Sequence, residues 1–182
     1  MLLKRGADYN KCNAFGHPLI MYACIYGHIE IVKILLDTKT NYNKRDTNGA
    51  SSLMMACEHG HTEIVKMLLD KGADYNNWGG NDKSPVMYAC QHGHTEIVKI
   101  LLDKGADYSK CNLNGWSSVM MACGLGHTEI VKILLDRGAD CNILDRNDES
   151  SLTKACKHGH TEIVKILLDK GADYSKCDMC GR

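Results

Sequence analysis

The stretch Gly93–Asp103 reads GHTEIVKILLD. It returns unchanged from Gly126 and Gly159, as GHTEIVKMLLD from Gly60 and as GHIEIVKILLD from Gly27, so the copies start 33 residues apart. In the copy that begins at Gly60, Ile64, Val65, Leu68 and Leu69 fall on one face of a helix, with Glu63, Lys66 and Asp70 turned away from it. A fixed period of this size marks a solenoid, in which each unit buries its apolar face on the next.

The residues around the phrase complete the unit. In the stretch 46–78, Thr47-Asn48-Gly49 is a turn signal and Ser51 is placed to cap a helix through SLMMACE, residues 52–58. Leu53, Ala56 and Cys57 share one face of that helix, and the small pair lets a second helix approach closely. Gly60 ends the first helix, the second begins at His61 or Thr62, and Gly72 stands at the usual place of a left-handed terminator. Each unit is therefore a short helix, a tight turn, a longer helix and an extended loop.

The 33-residue period and the pattern G-x-[ST]-P-L-x-x-A…GH…V…LL…GAD resemble the ankyrin repeat. The resemblance implies an all-α solenoid of stacked helix-turn-helix units with β-hairpin-like loops projecting as fingers from one side. Residues 1–12 form a partial repeat, followed by repeats at 13–45, 46–78, 79–111, 112–144 and 145–177 and a stub at 178–182. Two departures stand out. The family's T-P-L-H becomes Ser51-Ser52-Leu53-Met54, Ser84-Pro85-Val86-Met87, Ser117-Ser118-Val119-Met120 and Ser150-Ser151-Leu152-Thr153, so the histidine that ties the turn is absent. Lys39 occupies a glycine position, where a left-handed backbone would cost about 1–2 kcal/mol, and a weak junction is expected there. Met1-Leu2-Leu3 aligns with the end of a second helix and Cys177–Arg182 stops inside a turn. The expectation is a piece of a longer array or an incomplete gene model; the alternative is a short protein whose raw ends pair with another subunit.

Composition narrows the function. Lys plus Arg and Asp plus Glu are both 22 of 182 residues, so no charge excess draws the chain to nucleic acid or anionic lipid. No apolar run approaches the roughly 20 residues of a membrane helix, and the start MLLKRGAD is no signal peptide. Of ten cysteines, Cys24, Cys57, Cys90, Cys123 and Cys156 are one repeat position. Neighbouring helices pack about 8–10 Å apart, beyond the roughly 7 Å a disulfide spans. These five read as small buried hydrophobes, and free core thiols point to an intracellular, cytoplasmic protein.

Motifs that suggest chemistry are mostly absorbed by the period. The second histidine of His59-Gly60-His61, His92-Gly93-His94 and His158-Gly159-His160 also recurs as His28 and His127, which assigns it to the turn and to backbone bonding. The first histidine sits at the end of the first helix, where a cation suits the dipole. Cys177/Cys180 is a C-x-x-C without its second pair, so no metal site is expected. Glu63, Glu96, Glu129 and Glu162 each face a lysine three residues on, a solvated pairing worth about 0.2–0.5 kcal/mol. No nucleophile–base set or phosphate loop stands out, so no enzyme and no cofactor are expected.

Positions that vary from unit to unit mark surface that packing does not dictate. One set lies at the loop tips and includes His17, Asn48, Trp78, Lys83, Trp116, Arg146 and Glu149; the other lies on the first helices and includes Tyr22, Tyr26, Met55, Glu58, His59, Tyr88, Gln91, His92, Met121, Leu125, Lys154 and Lys157. In ankyrin-like arrays these sets line the concave groove, so the resemblance makes Tyr22, Tyr26, Met55, His59, Trp78, Lys83, Tyr88, His92, Trp116, Met121, Leu125, Lys154 and Lys157 the candidate partner-binding residues. Trp78 and Trp116 either form an interface hot spot or merely pack on their own hairpins. Arg146, Lys154 and Lys157 suggest a groove apolar in its middle and positive at its C-terminal end, suited to an acidic segment. Asn10, Asn43, Asn76 and Asn142 occupy the loop asparagine that some ankyrin proteins have hydroxylated, against the reading of an ordinary turn residue. The expected function is non-catalytic recognition of a protein or peptide, with no nucleic acid, membrane or small-molecule substrate. The alternatives are a structural spacer in a longer array, or an adaptor that recruits a client to an enzyme elsewhere on a larger chain.

Overall fold

The computed structural model describes residues 8–38 and 40–174, with the backbone alone at Asn81. The expectations for Lys39, for Cys177/Cys180 and for both ends of the chain fall outside these residues. Within them, five helix pairs follow one another. They are Leu19–Ile25 (α1) with Ile29–Leu36 (α2), Ser52–Glu58 (α3) with Thr62–Asp70 (α4), Pro85–Gln91 (α5) with Thr95–Asp103 (α6), Ser118–Leu125 (α7) with Thr128–Asp136 (α8), and Ser151–Lys157 (α9) with Thr161–Asp169 (α10). A 3-10 turn, Gly80–Asp82, sits in the third finger. No strand forms among the described residues; the fingers at Cys12/Pro18, Arg45/Ser51 and Cys111/Ser117 close with single antiparallel bridges. The fold is an all-α repeat solenoid.

Local chemistry sets the helix ends. The hydroxyls of Ser51, Ser84, Ser117 and Ser150 each accept the backbone N–H three residues on, as an N-cap should. Where the family histidine is missing, the Met54 sulfur accepts the Ser51 N–H at 3.4 Å. Pro85 occupies the first helical position, where its missing N–H costs nothing. Gly60 takes φ +77° between the paired helices and Gly72 takes φ +86° after the second, conformations that glycine adopts without a Cβ penalty.

Burial follows the period. Ile64, Val65, Leu68 and Leu69, and their counterparts in the third and fourth units, are buried together with Leu53, Ala56 and Cys57 in one continuous core. First helices pack on first helices and second on second, the first row more closely. The small Ala and Cys column allows this approach, and closer packing on one side curves the stack so that the first helices face inward. Cys24, Cys57, Cys90 and Cys123 are buried free thiols, whereas Cys156 is exposed. Burial pushes Cys24 and Cys123 up to about 12, and Cys57 and Cys90 higher still.

Three ladders stitch the units. The first is histidine: His61 lies 3.0 Å from the Ile25 carbonyl oxygen, His94 3.0 Å from that of Glu58, His127 3.2 Å from Gln91 and His160 3.2 Å from Gly124. A carbonyl only accepts, so each Nε2 carries the proton. The second is asparagine: the side-chain oxygens of Asn10, Asn43, Asn76 and Asn142 accept the N–H of Asn41, Asp74, Asp107 and Asp173 in the next loop. The third is ionic: Lys71 meets Asp37 at 3.3 Å, Lys104 meets Asp70 at 3.7 Å, Lys170 meets Asp136 at 2.8 Å and Arg137 meets Asp103. These last pairs are exposed, and each is worth about 0–1 kcal/mol. The expected pairing of Glu129 with Lys132 is not what the lysine does; it faces Glu162 of the next unit at 3.9 Å.

Candidate interaction surface

The groove is built from the inward side of α1, α3, α5, α7 and α9 and from the fingers that precede them. Of the thirteen residues singled out, Tyr22, Tyr26, His59, His92, Leu125 and Lys157 are exposed, and Met55, Trp78, Lys83, Tyr88 and Trp116 are half-buried. Two expectations are corrected. Met121 is only 2% exposed, covered inside α7. Lys154 is only 3% exposed, and it presents no free charge.

Lys154 is held from three sides. Its Nζ donates to Asp145 Oδ2 at 2.6 Å and to Glu149 Oε2 at 3.0 Å, and lies 4.1 Å from the centroid of the Trp116 ring. Lys157 donates to the other oxygen of Glu149. The Lys154 stem runs past Gly124, where a Cβ would stand 3.7 Å from the Lys154 Cβ, an ordinary contact. Burial raises the Asp145 carboxyl, but hydrogen bonds from Lys154 and from the N–H groups of Glu149 and Asn147 outweigh it and hold the group below its ordinary value. The hydrogen bond from Lys157, and after it the bond from Lys154, hold Glu149 low in the same way against burial. Of the positive patch expected from Arg146, Lys154 and Lys157, the two lysines are thus neutralised by Asp145 and Glu149, and Arg146 is exposed. Trp116 packs over Lys154, and Lys110 sits 5.6 Å from the Trp78 ring; both tryptophans are engaged within the fold.

Two carboxylates, those of Asp46 and Glu58, stand together in the middle of the groove. A cavity of about 560 Å³ opens between the first three fingers and α3 and α5, lined by His17, Asp46, Met55, Glu58 and Tyr88 among others. The Asp46 side chain is 5% exposed. Its Oδ1 accepts the N–H of Asn48 at 2.9 Å and of Ala50 at 2.8 Å, and its Oδ2 accepts from His17 Nε2 at 3.2 Å. Burial, then the charges of Glu58 and Asp46, push the Tyr88 phenol up. Lys83, on the third finger, is tied to Gln91 at 2.7 Å and lies 5.6 Å from the Tyr88 ring. His92 is held below its ordinary value by burial, against the pull of Glu58 3.9 Å away.

Residue columns held the signal that reading single residues missed. Position 154 repeats position 22, 55, 88 and 121, where Tyr, Met, Tyr and Met stand. A lysine in a column that runs from exposed Tyr22 to buried Met121 needs a partner where it is covered, and Asp145 and Glu149 lie nine and five residues before it. The second histidines of the three trios bond backbone as expected. Of the first histidines, His59 and His158 cap their helices, Nδ1 donating to the Met55 and Lys154 carbonyls at 3.0 Å and 2.9 Å, while His92 Nε2 lies 3.9 Å from Glu58. Among the described residues no group of three His, Cys, Asp or Glu side chains converges as metal ligands would, and no helix is long and apolar enough to cross a membrane.

The model of the ankyrin repeats matches the chain three times, over residues 1–78, 41–112 and 86–178. The chain belongs to the ankyrin-repeat family, whose members generally serve as protein–protein interaction modules without catalytic activity of their own. No curated protein matches it.

Proposed function

We propose that this chain is a non-catalytic recognition module that binds a protein or peptide in the concave groove formed by its first helices and fingers. One observation carries the reading. The core and the three ladders repeat almost unchanged, while the groove positions Tyr22, Met55, Tyr88 and Leu125 vary and stay at least partly open to solvent. Packing does not demand that variety; contact with a partner does. Equal numbers of acidic and basic residues argue against nucleic acid or a charged membrane as the ligand. Buried free thiols suit an intracellular, cytoplasmic setting.

The test is capture of partners from native lysate by the full chain and by Tyr88→Ala and Leu125→Ala, with Lys99→Ala on the outer face as control. A partner bound at least about tenfold more weakly by both groove variants, with the control unchanged, supports the reading. Partners that ignore both groove variants overturn it in favour of a structural spacer.

A further inference from the structure

The chain contains its own comparison for the acidic cavity. Shifted by three units, Asp46 corresponds to Asp145, Met55 to Lys154 and His17 to Trp116. In the fifth unit a lysine ammonium occupies the space in front of the carboxylate, 2.6 Å from Asp145 Oδ2 and under the Trp116 ring. In the second unit the carboxylate is kept and the ring is kept as an imidazole, but the lysine is replaced by an uncharged thioether. What stands there instead is a cavity of about 560 Å³, with Glu58 on its wall adding a second carboxylate. His17 answers Asp46 Oδ2, and Asp46 and Glu58 both line the cavity.

Resting on the groove reading above, we propose that this cavity receives a lysine or arginine side chain of the protein partner, its cation meeting Asp46 and Glu58 and its alkyl stem lying along Met55 and Tyr88. The volume suits a whole side chain, whereas a lone ion or water needs only about 30 Å³. Met55 and Tyr88 offer apolar surface among polar walls, which suits a methylene stem with a charged tip. The Tyr88 ring already lies 5.6 Å from the Lys83 ammonium, so its part is to pack against the stem, and the incoming cation is answered by Asp46 and Glu58.

The full chain, labelled with ¹⁵N, is titrated with acetyl-arginine amide and acetyl-lysine amide, and in parallel with acetyl-norleucine amide as the neutral stem. The cationic probes are expected to shift the amides of Asn48, Ala50 and Tyr88 in a saturable way, to leave Glu149 and Lys154 unmoved, and to lose at least half of that response in Glu58→Gln. Met55→Lys places the cation in the cavity from within; it is expected to abolish the response and to raise the thermal midpoint. Equal shifts with norleucine amide, or no shift with any probe together with an unchanged midpoint in Met55→Lys, overturn the proposal. A partner captured through the groove separates the two readings. Sensitivity to Leu125→Ala without sensitivity to Met55→Lys keeps the groove and removes the cation pocket.

Discussion

His94 plugs the space beside Gly60. Its Nε2 donates to the Glu58 carbonyl at 3.0 Å, and a Cβ built on Gly60 would stand 2.6 Å from the His94 Cε1. The histidine of one unit and the glycine of the unit before are a matched pair, repeated at His61 with Gly27, His127 with Gly93 and His160 with Gly126.

Gly60→Ala is therefore expected to cost more than Gly72→Ala, although both glycines take a left-handed backbone. Gly72 has nothing within 4 Å of such a Cβ, so only the strain of about 1–2 kcal/mol applies there. Gly60→Ala adds overpacking of about 1–3 kcal/mol. In a His94→Ala background the gap between the two should close. Urea unfolding of the five variants measures it, and an unchanged gap would show that the ring is not the obstacle.

Lys154→Met should destabilise by about 3–5 kcal/mol, because it leaves Asp145 buried without its cation. The pH dependence gives a second readout. Asp145 and Glu149 are held low when folded, so their contribution is present above the ordinary carboxylate range near 4 and fades as pH falls through the folded values. Unfolding free energies at neutral and at strongly acid pH should differ less in Lys154→Met than in the parent.

Ser118→Pro should stabilise. The Ser118 hydroxyl is buried and has no hydrogen-bond partner among the described residues. It opens α7 at the position where Pro85 opens α5, and Ser117 before it has the extended backbone, φ −81° and ψ 167°, that a following proline requires. The gain from a stiffer unfolded chain is about 0.4–1 kcal/mol, read as a higher denaturation midpoint. A lowered midpoint would contradict the equivalence of the two sites.

Thiol labelling should divide the cysteine column. Cys24, Cys57, Cys90 and Cys123 are buried and their thiols are pushed up by desolvation, so iodoacetamide at mildly alkaline pH should spare them until the protein unfolds. Cys156, the exposed member, should label in the folded state. Peptide mass spectrometry reads both, and early modification of Cys57 or Cys90 would show that the middle of the stack opens.

The fold was legible because the 33-residue period states it five times over, and the stripe Ile64, Val65, Leu68 and Leu69 could be placed from spacing alone. The helix ends at Ser51 and Gly60 were legible for the same reason: each is set by chemistry within four residues. The groove was harder. Tyr88, Met55 and Leu125 were singled out because they vary, and they do reach the surface, but variation does not distinguish a side chain facing solvent from one closed over by the next unit. Met121 and Lys154 are of the second kind. The charge of Lys154 is cancelled by Asp145 on its own finger and roofed by Trp116 on the previous one, a meeting across 38 positions that no local window contains. The acidic cavity escaped for the mirror reason, since Asp46 reads as a turn residue and its lining is gathered from three units.

The stitching described for His61, His94, His127 and His160 acts only between adjoining units and always in one direction along the chain. An in-frame duplication or loss of one internal unit would therefore rejoin every link as it was, because each new neighbour brings the same socket and the same plug. Such an array lengthens or shortens by recombination without a search for compensating mutations, and its ligand preference shifts as whole fingers are gained, lost or reordered.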